Sequence, residues 1–131
     1  MSGRPEEVET RICEFVFPSD TNHLGTLYGG TLMAWMDKAA GVAALRRAGS
    51  SAVVTAAVEG LDFRVPIHHG ELVELLARVE SVGRTSMKVR VEAHREDPAS
   101  GARELCTAGT FTMVAVDDDG RPIAVRPLSS P

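Results

Sequence analysis

The chain has 131 residues, of which 44% are hydrophobic, 24% charged and only 5% aromatic, the make-up of one ordinary soluble domain. Fourteen Lys and Arg against 18 Asp and Glu leave a formal charge of -4, which excludes a broad nucleic-acid-binding face but not a local basic pocket. A chain of this size can bury a core without staples, and Cys13 and Cys106 stand apart with no Cys-x-x-Cys or Cys/His cluster near them, which argues against a zinc site and points to a reducing compartment, by default the cytoplasm.

Residues 1–10 read as a polar leader, acidic and without the apolar run of a signal peptide, and no later stretch approaches the length of a membrane span. Arg11 to Phe17 reads as a strand closed by Pro18. Residues 19–27 carry loop chemistry in Asp20, Asn22 and Gly25, and Gly29-Gly30 punctuate the end of the loop. From Thr31 to about Arg47 the spacing of Met33, Met36, Ala40 and Ala44 predicts a helix, with Arg46 and Arg47 at the end where the dipole favours cations and Gly49 as the stop. The other helical positions are also mostly small or apolar (Leu32, Ala34, Trp35, Ala39, Gly41, Val42, Ala43), so the helix is expected to be covered on most sides, with a sheet approaching closely.

Downstream the period changes to two. Ala52 to Ile67 reads as one extended run ended by Pro66 and His68-His69-Gly70. Glu71 to Val82 alternates Val73, Leu75, Ala77 and Val79 against Glu74, Arg78 and Glu80. Thr85 to Ala93 sets Met87, Val89 and Val91 against Ser86, Lys88, Arg90 and Glu92, and Leu105 to Val116 supplies another long strand. Gly83-Arg84 and 97–101 are the turns between them. A strand, a helix and four strands on short connections predict an α+β domain: a long antiparallel β-sheet against one central helix, spanning 11–117, with 118–131 as a tail.

Asp37 falls on the predicted stripe of Met33, Met36 and Ala40, and no residue three or four positions away carries a positive charge. A carboxylate there either turns to solvent or to a cation such as Lys38, or is held for chemistry. The preceding loop bears on the choice. Paired glycines at a helix entrance let a substrate approach backbone N–H groups at the positive end of the dipole, an asparagine amide orients water or substrate, and an aspartate serves as base. Taken alone, Gly29-Gly30 is equally a tight turn. His68-His69, beside Pro66 and Gly70, reads as a solvated turn, and His23 flanks Asn22 in the loop.

The run from Phe17 to Gly30, Phe-Pro-Ser-Asp-Thr-Asn-His-Leu-Gly-Thr-Leu-Tyr-Gly-Gly, followed by Met33, Met36-Asp37 and Ala40-Gly41, resembles the acyl-CoA thioester hydrolase family of hotdog-fold thioesterases. The resemblance continues through Val53-Val54-Thr55, Val58 to Phe63, Pro66, Gly70, Gly83 to Met87, Val116-Asp117 and Gly120-Arg121-Pro122, nearly the whole chain from Cys13 onward. It implies a sheet wrapped around the helix, and a homodimer with sites at its interface, assembling further to a hexamer as a trimer of dimers. Asn22 and Asp37 match the family's catalytic asparagine and aspartate, one from each subunit.

The reaction so implied is hydrolysis of an acyl-CoA thioester to a free acid and coenzyme A, with Asp37 as general base or as direct nucleophile, and backbone N–H groups at Gly29 and Gly30 around the oxyanion. No metal or cofactor is called for; coenzyme A enters only as part of substrate and product. Arg64, Arg84, Thr85 and Ser86 are candidate contacts for coenzyme A, against the plainer reading of arginines on a wet strand face. Met33, Met36, Leu61, Phe63 and Tyr28 are candidates for an acyl pocket, each also a candidate for ordinary packing. Neither nucleic acid nor membrane is an expected partner. Two rival functions share the fold: a non-catalytic acyl-CoA-binding sensor, and an acyl-thioester hydratase or dehydratase, which would rely on a helix histidine that this chain lacks.

Overall fold

The computed structural model describes residues 9–127; most of the polar leader and the final four residues lie outside it. The elements in chain order are β1 (Thr10–Phe15), a short 3-10 turn (Pro18–Asp20), α1 (Gly29–Ala48), β2 (Ala52–Glu59), β3 (Leu72–Val82), β4 (Ser86–Glu96) and β5 (Arg103–Val116). All five strands form one antiparallel sheet in the order β1-β3-β4-β5-β2, with α1 packed against every strand. This is the hotdog arrangement of one helix held by a sheet, as the resemblance implies.

The alternation seen in the sequence places the core. Val73, Leu75 and Ala77 of β3, Met87, Val89, Val91 and Ala93 of β4, and Phe111, Met113 and Ala115 of β5 all face α1 and are buried. The helix answers with Leu32, Met36, Ala39, Ala40, Ala43 and Ala44. Four alanines on one helical face let the sheet come close enough for Phe111 and Leu75 to fill the space between layers. Complete burial of one such leucine or phenylalanine contributes about 1.5–3 kcal/mol. The opposite sheet face is wet and crossed by ion pairs, among them Arg78–Glu9 and Arg95–Glu104.

Three expectations change. The extended run 52–67 is not one strand: β2 ends at Glu59 because Gly60 takes φ +79, and 61–67 crosses over the sheet instead. There Leu61 seats on Gly109, where an added Cβ would stand only 2.8 Å from Leu61 Cδ2. Second, α1 begins at Gly29, so Gly29-Gly30 form its first turn rather than ending the loop. Third, α1 is covered on one side only; Met33, Ala34, Lys38, Leu45 and Arg46 are exposed and Asp37, Gly41 and Val42 half-buried. Asp37 therefore shares a face with Met33 and Gly41, not with the buried Met36 and Ala40.

Part of the expected tail belongs to the body. After Gly120 the chain returns along β5, the Ile123 and Val125 amides donating to the Ala115 and Arg84 carbonyls at 2.9 and 2.8 Å. The buried Arg47 guanidinium donates to the Arg126 carbonyl at 2.5 Å, closing the C-terminal end of α1.

Candidate active site

The loop before α1 is built around Asn22. Its backbone amide donates to the Thr26 carbonyl at 2.8 Å, and its side-chain Oδ1 accepts from the Leu24 and Thr26 amides at 2.9 and 3.1 Å. Two N–H donors on one oxygen fix which end of the carboxamide is which, so Nδ2 is turned away from the loop with its two hydrogens unspent among the described residues. The loop is in turn pinned to 67–69 by Leu27 N–Ile67 O at 2.7 Å and His69 N–Gly25 O at 3.3 Å. His68 belongs to this turn, its amide bonded to Glu71 Oε1 at 2.7 Å.

Tyr28 caps α1 from an extended conformation, and the first intrahelical bond is Leu32 N to Tyr28 O at 3.1 Å. The amides of Gly29, Gly30 and Thr31 precede it and have no acceptor among the described residues. Glycine costs roughly 1 kcal/mol against alanine within a helix, and neither glycine has a positive φ to justify it. Sterics within the protomer do not require them either: a Cβ on Gly29 would meet Phe63 at an ordinary 3.8 Å and one on Gly30 would meet nothing within 4 Å. What the missing side chains leave open is an approach to bare N–H groups from outside. A groove of about 250 Å³ runs past this point, lined by Leu27, Gly29, Leu32, Phe63, Arg64 and Ile67 among others.

Asp37 lies two turns further along, roughly 12 Å down the helix axis at 1.5 Å per residue. Its Oδ1 accepts a 2.6 Å hydrogen bond from the Thr55 hydroxyl of β2. The sheet register explains how Thr55 gets there. β2 pairs with β5 up to Thr55–Met113 and resumes at Ala57–Thr112, so Ala56 is an inserted residue. Thr55 itself pairs with the inward-facing Met113, so ordinary alternation from Val53 turns it toward α1, and the bulge shifts the inward positions only beyond it, to Val58 opposite Phe111. Together Asp37 and Thr55 head a second groove, about 430 Å³, floored by Gly41, Val42, Leu45, Val53 and Met113. No cation is paired with Asp37 among the described residues.

The sequence candidates thus separate into two clusters on one protomer: Asn22 with Gly29, Gly30, Tyr28 and Phe63 around the helix entrance, and Asp37 on the flank. Thr55 is the residue that sequence reasoning missed as a functional group; its signals are a hydroxyl among the aliphatic residues 52–58 and its place in the run Val53-Val54-Thr55 of the resemblance. Of the acyl-pocket candidates, Phe63, Tyr28 and Met33 are exposed near the entrance, Leu61 is packed on Gly109, and Met36 is fully buried in the core and lines neither groove. Arg64 is open and, among the described residues, paired with Asp62 alone, Nε–Oδ2 2.6 Å, a surface pair of small worth that a phosphate could replace. Arg84, Thr85 and Ser86 sit at the β3–β4 turn, where Arg84 and Thr85 use their carbonyls to hold Val125 and Ala115. Both cysteines are free thiols pushed above their ordinary value by desolvation, Cys13 also by Glu74, Glu96 and Glu14, so neither offers a ready thiolate. No group of three His, Cys, Asp or Glu among the described residues is placed to hold a metal ion.

Comparison with known proteins matches residues 24–102 to the thioesterase superfamily. An uncharacterized acyl-CoA thioester hydrolase of Zymomonas mobilis is 40% identical over 121 residues, covering 92% of this chain and 80% of its own. Among solved structures, an apo hexameric acyl-CoA thioesterase superposes with a TM-score of 0.86 at 42% identity, over 94% of this chain and 78% of that one. An acyl-CoA hydrolase from Staphylococcus aureus, solved with butyryl coenzyme A, coenzyme A and coenzyme A disulfide, superposes at 0.84 with 37% identity, over 92% of this chain and 73% of that one. That enzyme has also been studied as alanine variants of an asparagine, of an aspartate fifteen residues after it, and of a threonine beyond both.

Proposed function

Since the chain belongs to the acyl-CoA thioester hydrolase family of the thioesterase superfamily, we propose that it hydrolyses acyl-CoA thioesters to a free carboxylic acid and coenzyme A, with Asp37 and Asn22 acting at a subunit interface. The observation that carries this reading is the Asp37–Thr55 hydrogen bond of 2.6 Å, which holds a carboxylate with no cationic partner among the described residues at the head of a largely apolar groove. The same fifteen-residue interval separates Asn22 from Asp37 here as separates the two residues varied in the Staphylococcus enzyme.

Water bound beside Asp37 gives a proton to the carboxylate as its oxygen bonds the thioester carbon. The carbonyl electron pair moves onto oxygen, where the Asn22 Nδ2–H and the amides of Gly29 and Gly30 stabilise the charge. Collapse breaks the C–S bond, and the proton passes from Asp37 to the departing coenzyme A sulfur. The same carboxylate also serves if it attacks the carbon itself, forming a mixed anhydride that water then opens.

Roughly 12 Å of helix lie between the Gly29 amides and Asp37, so one protomer cannot wrap a single carbonyl with both. Two copies can. Among the described residues the β2 edge is unpaired on its outer side and the α1 face beside it is open, which suits pairing of two protomers through that surface. Each site then takes Asn22 and the helix entrance from one subunit and Asp37 with Thr55 from the other. A hexameric relative supports assembly of such dimers into a hexamer. Arg64 and Arg84, with Thr85 and Ser86, supply donors for the coenzyme A phosphates. Two free thiols suit a reducing compartment such as the cytoplasm.

The test is release of free thiol from a panel of acyl-CoA esters by purified protein, wild type beside Asp37→Asn. Hydrolysis that falls on the order of a hundredfold or more in the variant, with coenzyme A binding kept, is the expected result. Binding without release by the wild type would instead support the sensor, and an Asp37→Asn variant of full activity would remove the mechanism.

A further inference from the structure

The groove below Asp37 poses a separate question, because its floor contains a glycine that the fold does not need. Gly41 lies in the middle of α1, one turn beyond Asp37 on the same face. Glycine inside a helix is less favourable than alanine. At Gly41 φ is not positive, and an added Cβ would meet only Met113 Cε, at 4.0 Å, an ordinary contact. The protomer would therefore accept a side chain here and gain helix stability from it. What a side chain would do is fill the groove between α1 and β2 that begins at Asp37 and Thr55 and continues over Gly41, Val42 and Met113 to Leu45.

Resting on the hydrolase reading above, we propose that the acyl chain of the substrate lies in this groove, running from Asp37 over Gly41 to Leu45, and that Gly41 determines how long a chain is accepted. The two grooves differ in where they start. The one at the helix entrance, apolar along Leu27, Phe63 and Ile67, begins at the free amides and ends at Arg64, which suits pantetheine and its phosphates. The one below Asp37 begins at the carboxylate that faces the acyl carbon and continues over Val42, Val53, Leu45 and Met113, with Thr55, Lys38 and Ser51 as its other polar members, which suits methylenes. Leu45 stands two turns beyond Asp37, roughly 12 Å along the axis. A carbon chain of bonds near 1.5 Å advances about 1.25 Å per carbon when extended, so about ten carbons span that distance. Acetyl and butyryl groups end short of Gly41, which is about 6 Å from Asp37. Met113 on the floor adds a side chain able to adapt to chains of different shape.

The experiment compares kcat/KM for acetyl-, butyryl-, octanoyl- and decanoyl-CoA in wild type, Gly41→Ala and Gly41→Leu, with melting and light scattering on each. Gly41→Leu is expected to lose on the order of tenfold or more on octanoyl- and decanoyl-CoA while acetyl- and butyryl-CoA stay within about twofold. Gly41→Ala should melt no lower than wild type and show a smaller loss on the long chains alone. A length profile unchanged in both variants overturns the assignment, as does an equal loss on all four esters. Loss of assembly by light scattering, with all activity gone, would mean that a second copy of α1 and not the acyl chain fills the groove. A wild type that releases coenzyme A from none of the esters overturns the hydrolase reading and this inference with it.

Discussion

Replacing Thr55 by valine removes one hydroxyl and changes little else. The side chain keeps its shape, and Thr55 is exposed on β2, so the fold should lose no more than about 0.5 kcal/mol. What is lost is the 2.6 Å hydrogen bond that aims Asp37. A hydrogen bond to a charged group contributes about 1.5–3 kcal/mol. The site is open enough for water to replace part of it, leaving about 1–2 kcal/mol, equivalent to a 5- to 30-fold fall in kcat at 1.36 kcal/mol per decade. Coenzyme A touches neither atom in this account, so KM for a short acyl-CoA should stay within about twofold. Steady-state thiol release, with a melting curve on each variant, measures both. Thr55→Ser restores the donor and should return kcat to within about threefold of wild type. A Thr55→Val enzyme with wild-type kcat, or a serine variant no better than the valine one, would refute the role given to Thr55.

Gly30→Ala should keep or raise the melting temperature, since a Cβ there meets nothing within 4 Å and helix propensity improves by up to roughly 1 kcal/mol, while kcat falls; a variant both stable and fully active would show that nothing approaches those amides. Gly109→Ala should destabilise by about 1–3 kcal/mol through overpacking, because its Cβ would stand 2.8 Å from Leu61 Cδ2, and denaturant melts should find Leu61→Ala recovering part of the loss in the double variant. Glu92 is held below its usual range chiefly by the hydrogen bond with His94 and also by Arg90. A depressed carboxyl stabilises the fold above its ordinary value of 4.5 and ceases to do so as pH falls through its folded value. Melting of wild type and Glu92→Gln should therefore differ near neutrality and converge in acid, as pH falls below 4.5 and on through the lowered folded value; a gap that persisted unchanged in strong acid would contradict the linkage.

The three long strands were legible because alternation runs through most of β3, β4 and β5, interrupted at the inserted Glu80 and Cys106, and every inward residue from Val73 to Ala77 and from Met87 to Ala93 is buried. The existence of α1 was legible for the same kind of reason, but its orientation was not. Met33, Ala34, Gly41, Val42 and Leu45 are as apolar as the buried Met36, Ala40 and Ala44, so the sequence carries no contrast to say which face meets the sheet. On the sequence alone Asp37 therefore falls with the covered side. Asn22 was recognisable as loop chemistry, yet its two backbone contacts, which free Nδ2, depend on a turn pinned by residues 67–69. Thr55 was hidden because β2 carries no polar–apolar contrast from Ala52 to Val58 that would mark its inward positions, and the one-residue bulge at Ala56 moves those positions from Val53 and Thr55 to Val58. The break at Gly60 was equally silent within the extended run 52–67, where the β-branched residues continue past it.

The claim that each site is shared between subunits is tested most directly by complementation. Asn22→Ala and Asp37→Asn variants, each inactive alone, are mixed in equal amounts under conditions of confirmed subunit exchange, and thiol release from an acyl-CoA is measured. A heterodimer collects both defects in one site and leaves the other intact. Random pairing then restores about a quarter of wild-type activity, because half of the dimers are mixed and each has one working site of two. That recovery is the result expected here. Activity that stays at the level of the single variants despite exchange would put Asn22 and Asp37 in the same subunit's site and contradict the shared-site mechanism.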